Sequence, residues 1–131
     1  MSQENVEVVR ASFEAWNAGD MDALRELYDP NVIMRIPDDW PEPGPFMGRD
    51  AVMRQSKQLR DTWDADTLEL IGDFIDVGDR VAARYVWRAE GRGPGSNIGS
   101  THVLTVRKGK IVGVEIIWDH AEALGTLGLS E

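Results

Sequence analysis

The sequence predicts an α+β fold in which helices come first and an antiparallel sheet of hairpin-connected strands follows. Two observations carry this. Apolar residues recur at three- and four-residue spacing in Val6–Trp16 and again in Val52–Trp63, whereas from Asp66 onward they alternate with period two. A third observation removes the main competitor. No strand–helix–strand alternation is present and no G-x-G-x-x-G follows a strand, so a doubly wound nucleotide-binding fold is not supported. Gly91, Gly93 and Gly95 are close in sequence, but Pro94 interrupts them and no helix follows.

Val6, Val9, Phe13 and Trp16 fall on one face of a first helix, which Gly19 ends. Asp20 can cap a short second helix, with Asp22 in its first turn and Leu24 and Leu27 inward. Asp29-Pro30-Asn31 reads as a stop, and Val32–Ile36 as a short strand ending at Pro37. Residues 37–47 hold four of the six prolines, a density that excludes regular structure. Trp40, Phe46 and Met47 are large apolar groups in that loop, which points to a segment folded over something. Val52, Ser56, Leu59 and Trp63 share one face of a third helix. A strand lies within Asp66–Ile75, and Val77-Gly78-Asp79 turns the chain. In Arg80–Glu90, Val81, Ala83, Tyr85, Trp87 and Ala89 alternate with Arg84, Arg88 and Glu90. Residues 91–99 read as a flexible connection. Ser100–Arg107 places His102, Leu104 and Val106 on one face. Lys108-Gly109 then turns the chain into Ile111–Trp118. Asp119 can cap a terminal helical turn.

Length and composition bound the function. The 131 residues suit one domain, and a hydrophobic fraction of 42% can build one core. There is no cysteine, hence no disulfide, thiol nucleophile or Cys-ligated metal. The 23 acidic residues against 14 basic ones give a net charge of −9. That balance argues against nucleic acid and against an anionic membrane surface. No apolar run reaches the roughly 20 residues a bilayer span needs, and Met1-Ser2-Gln3-Glu4-Asn5 is unlike a secretion signal, so a soluble cytoplasmic protein is expected. Half of the ten aromatics are tryptophan. Asp73, Asp76 and Asp79 lack the spacing of a calcium loop and read as solvated surface.

Phe13-Glu14-Ala15-Trp16-Asn17-Ala18-Gly19-Asp20-Met21-Asp22-Ala23-Leu24 resembles the opening signature of the SnoaL-like branch of the nuclear-transport-factor-2-like superfamily. Tyr28-Asp29-Pro30-Asn31-Val32, Gly48-Arg49-Asp50-Ala51-Val52 and His102–Val112 match by order and spacing. The resemblance covers almost the whole chain and implies a single SnoaL-like domain over residues 1–131. It also implies a cone-shaped, strongly curved antiparallel sheet wrapped around the N-terminal helices, an internal apolar pocket, and a homodimer formed across the outer sheet face. Relatives include isomerases, cyclases, epoxide hydrolases and non-catalytic binders, so the fold alone does not name the activity.

The family pattern with strand parity gives a candidate ligand-binding set. It comprises Phe13, Trp16 and Trp63 from helices, Met34 and Ile36 from the first strand, and Trp40 and Phe46 at the mouth. The later strands add Tyr85, Trp87, His102, Leu104, Ile116 and Trp118, with Val114 beside them. Such a wall is mostly aromatic and apolar, the usual make-up of a small-molecule site.

The catalytic groups of the relatives do not carry over. Ketosteroid isomerases, which this chain resembles, need a carboxylate base where Ile36 stands, and oxyanion donors near Ser12 and His102. SnoaL-type cyclases pair a His with an Asp across the last hairpin. His102 matches the His, but Ile116 faces it. The Asp–Arg–Asp array of limonene-type epoxide hydrolases has no inward counterpart, since Arg35, Arg84, Glu115 and Asp119 point outward by parity. His102 is left as the candidate catalytic residue, a lone acid/base or a hydrogen-bonding anchor, with Tyr85 or Ser12 as auxiliary donor. His120 falls at a rim or helix start. Two histidines and no cysteine imply no metal, and no cofactor is expected. The favoured reading is a small-molecule-binding protein for an apolar, cyclic ligand. The alternatives are an isomerase, cyclase or dehydratase acting on a cyclic carbonyl compound through His102, and a non-catalytic dimeric interaction domain.

Overall fold

The computed structural model describes residues 2–38, 40, 44–61, 65–90 and 96–128. Among them the element order is α1 (Ser2–Ala18), α2 (Met21–Leu27), β1 (Tyr28–Arg35), β2 (Phe46–Met47), α3 (Arg49–Asp61), β3 (Ala65–Val77), β4 (Arg80–Glu90), β5 (Ser96–Arg107), β6 (Lys110–Ile117) and α4 (His120–Thr126). This is the predicted α+β arrangement. Six strands form one sheet in the order β2-β1-β6-β5-β4-β3.

The local signals act where expected. The Gly19 amide bonds to Trp16 O at 3.0 Å and closes α1. The Asp20 side chain accepts from Ala23 N at 3.0 Å and starts α2. Lys108 and Gly109 both take positive φ, 52° and 76°, the pair a tight I′ hairpin turn requires.

The sheet departs from the expected antiparallel pattern at one junction. β1 runs parallel to β6, with Met34 beside Val114. Chain order explains this: α3 and four strands intervene before β6 returns to β1, so no hairpin constrains their sense. β1 also starts earlier than predicted, at Tyr28, and holds Pro30. Proline is tolerated there because the β1–β6 register slips between Tyr28 and Ile33, where no ladder hydrogen bond is required. The Asp29 carboxylate takes up the Asn31 amide at 2.8 Å. Residues 96–99, predicted as part of a flexible connection, pair with β4, Trp87 lying beside Ile98. Residues 91–95 lie outside the described residues.

Bulges bend the sheet. Two extra residues enter β3 between Ile71 and Ile75, with Gly72 at φ 77° among them. The β5–β6 register shifts again between Thr105 and Val106. Each bulge increases local twist and turns the inner face toward the helices. Phe13 and Trp16 of α1 and Val52 of α3 pack into one core with Tyr85, Leu104 and Val114 from that face.

The opposite face is covered in part by α4, which is more than the terminal turn expected from sequence. Ala123 and Leu127 bury Ala82, Val103 and Ile117. Asp119 caps this helix by accepting from Ala121 N at 2.9 Å and Glu122 N at 3.4 Å. Asp119→Ala is expected to cost about 1 kcal/mol in urea unfolding. An unchanged midpoint would show that packing alone holds α4.

Candidate functional site

Between the helices and the inner sheet face lies a cavity of about 650 Å³. Its walls come from every layer. α1 supplies Ser12, Phe13 and Trp16, α2 supplies Leu24, and α3 supplies Gln55, Ser56, Gln58 and Leu59. The sheet supplies Tyr28 and Met34 from β1, Leu68 from β3 and Trp87 from β4. Ile98, Ser100, His102 and Leu104 alternate along β5, and Val114 and Ile116 along β6. Trp40 and Trp118 complete the lining. Their rings stack with centroids 5.6 Å apart, and Trp118 is exposed, so the pair stands at the rim.

Of the sequence-derived candidates, Phe13, Trp16, Met34, Trp40, Trp87, His102, Leu104, Ile116 and Trp118 come together on this lining. Ile36, Phe46 and Tyr85 do not line it. Ile36 lies beyond the end of β1 and packs close to Gly44. Phe46 pairs with Met34 across β1–β2 and is buried in the core. Tyr85 sits behind Phe13, stacked on it at 3.9 Å. Trp63 lies outside the described residues. Sequence reasoning passed over Leu68, Ile98, Ser100, Gln55 and Gln58 as site residues. Ser100 was readable, since it shares β5 parity with His102 and Leu104. Gln55 follows Val52 by three positions, yet a glutamine at a core-facing helical position carries no compositional flag.

His102 is the polar centre of the apolar wall. Its Nε2 lies 3.2 Å from Ser100 Oγ. Its ring meets Phe13 edge-on at 5.3 Å and Tyr85 at 5.5 Å. Burial lowers its pKa to about 4, so the imidazole is neutral near pH 7, with one nitrogen donating and the other accepting. Tyr28 is also held uncharged, its pKa pushed up to about 12 by burial. Burial likewise raises Tyr85, against a smaller opposing effect of Arg10. Ser12 Oγ donates to Val9 O at 2.6 Å. Ile116 stands directly opposite His102 in the β5–β6 register. Among the described residues no Asp, Glu, Lys or Arg lines the cavity.

His120 is on the other side of the sheet. Its Nδ1 is 2.9 Å from Thr101 Oγ1, a fully buried neighbour under α4. Strand alternation sends Thr101 away from the cavity that Ser100 and His102 line. Among the described residues no three His, Asp or Glu side chains converge as a metal ion would need. No helix among them is long and apolar enough to cross a membrane.

The SnoaL-like domain family matches residues 9–114, most of the chain. The chain belongs to this family. No curated protein matches it. Three similar solved structures share the fold. Bal32a, from a soil-derived mobile gene cassette, is 26% identical, with 88% of each chain covered and a TM-score of 0.81. IdmH from Streptomyces antibioticus, described as a suggested polyketide cyclase, is 25% identical with a TM-score of 0.75. That match covers 95% of this chain and 99% of IdmH. A Sinorhizobium meliloti protein, also described as a suggested polyketide cyclase, is 24% identical with a TM-score of 0.72. It is covered over 98% of its length by 88% of this chain.

Proposed function

We propose that this SnoaL-like protein binds an uncharged, largely apolar ring compound in the cavity beside His102. One observation carries the reading: about 650 Å³ of space walled by aromatic and aliphatic groups, with a neutral imidazole set into the wall. Cavities of this size accept a drug-sized molecule, and a few polar groups in an apolar wall fix its orientation. Neutral His102 can hydrogen-bond a carbonyl or hydroxyl without a counter-ion. An ionised ligand would lose its hydration with no opposite charge among the described lining residues to replace it.

Aromatic and terpenoid carbonyl compounds are the probes. A compound present at about 100 times its Kd stabilises the folded state by about 2.7 kcal/mol, which a thermal melt reads directly. Trp87 and Trp118 on the lining supply a fluorescence signal. Ile116→Trp, which fills the space facing His102, is expected to keep the fold and abolish both responses. Melting temperatures that no probe moves, or responses that survive Ile116→Trp, would overturn the assignment.

A catalytic reading draws on the imidazole beside Ser100 at the cavity wall. In it, His102 acts as lone acid or base on a cyclic carbonyl compound. Turnover by the wild type that His102→Gln abolishes, with binding retained, would make the chain an enzyme; binding without turnover in the wild type supports the binder.

A further inference from the structure

Two groups of polar side chains on the cavity lining stand on different walls. One is Ser100 and His102 on β5. The other is Gln55 on α3, with Ser56 beside it. α3 packs on β1, β2 and α2, whereas β5 packs on β4, β6, α1 and α4. Gln55 is 5% exposed and makes no hydrogen bond to any described residue. Among the described residues, the sealed and partnerless buried polar side-chain atoms are Trp16 Nε1 and Arg49 Nε. The Gln55 amide is not one of them, so its oxygen and nitrogen keep some accessible surface, and Gln55 is a lining residue of the cavity. Buried side-chain amides are almost always hydrogen-bonded, and one left without a protein partner at a cavity wall calls for an explanation.

We infer that Gln55 reads the ligand, and that the ligand carries a hydrogen-bond donor directly beside an acceptor, as in a cyclic amide. A glutamine amide offers an acceptor oxygen and a donor nitrogen side by side. A lactam edge presents the complementary pair, so both bonds form at once and neither partner carries charge. The assignment rests on the ligand-binding reading above and adds the polar edge of the ligand to it. His102 and Ser100 then meet a second polar group, or the apolar body, at the other wall.

Phenanthridinone, its N-methyl derivative and phenanthridine make the test. They share a tricyclic frame, and only the first offers N–H beside C=O. Wild-type protein is expected to bind phenanthridinone about tenfold more tightly than the N-methyl compound, the worth of one well-formed hydrogen bond. Gln55→Leu is expected to erase that preference, weakening phenanthridinone more than the N-methyl compound. The ligand-free variant should melt no lower than wild type, because leucine needs no partner at that position. Three results overturn the inference alone: equal binding of all three compounds by wild type, a preference that survives in Gln55→Leu, or a lower melting temperature of the ligand-free variant, which would make the amide a structural group. Binding of none of the compounds overturns it together with the ligand-binding reading. The wild-type comparison needs no variant, so a misfolded Gln55→Leu still leaves the inference open to refutation.

Discussion

Tyr85→Ala is expected to lower stability by about 3–5 kcal/mol, the range for removing a large buried ring. For a chain of this length that is a fall on the order of 10–20 °C in melting temperature. Tyr85 is 2% exposed and stacks on Phe13 at 3.9 Å, and its edge contact with His102 helps hold that imidazole. Alanine would leave a void behind Phe13 in the layer that separates the cavity from the sheet. Tyr85→Phe keeps the ring and is expected to cost about 1 kcal/mol or less. The pair of variants also separates two roles. An auxiliary donor at the site would lose function in the phenylalanine variant, whereas a buried spacer loses it only in the alanine variant, through stability. Since Tyr85 is not on the cavity lining, the phenylalanine variant should bind probes as wild type does. Urea unfolding and probe titration on both variants check this. A Tyr85→Ala loss under about 1 kcal/mol would show that the surrounding core collapses into the void.

The contrast between Tyr85 and His102 shows where sequence reasoning reaches and where it stops. Parity puts both on the inner face of the sheet, which is right as far as period two goes. Which inward residue meets empty space and which meets a helix depends on where α1 crosses the strands, and Phe13 settles that by covering Tyr85. The turn at Lys108-Gly109 has a local cause, positive φ at two successive residues, but counting back from it would set Glu115 opposite His102, and the register shift between Thr105 and Val106 brings Ile116 there instead. The parallel β1–β6 pairing has no local cause. It follows from closing the sheet order, a tertiary matter, and the same holds for α4, whose apolar residues are too few to mark a covering helix. Phe46 reads as a mouth residue because a proline-rich loop surrounds it, but two residues of pairing with β1 bury it. Gln55 was illegible for the opposite reason: beside Val52 and Ser56 a glutamine looks like the start of the solvent side, and only the cavity shows that it is not.

The second large effect is a dependence on pH through His102. Its pKa falls from 6.5 in the unfolded chain to about 4 in the fold, because burial disfavours the imidazolium. The unfolded state therefore binds more protons than the native state between those values. Stability contributed by this group is intact above pH 6.5 and is lost progressively as the pH drops toward 4. Between about pH 7.5 and about pH 5 the loss amounts to about 2 kcal/mol. The immediate surroundings offer no counter-charge, since Phe13, Ile116 and the Tyr85 ring are uncharged, and Ser100 is a single neutral hydroxyl. His102→Gln keeps a hydrogen-bonding group beside Ser100 but does not titrate. The difference in unfolding free energy between wild type and His102→Gln should shift by about 2 kcal/mol in favour of the variant over that pH range, while other titrating groups cancel in the subtraction. A difference that stays flat would mean that the imidazolium is accommodated in the folded protein. In that event His102 could be charged at the site, and acid catalysis on a carbonyl would become the better account of why an imidazole stands in this wall.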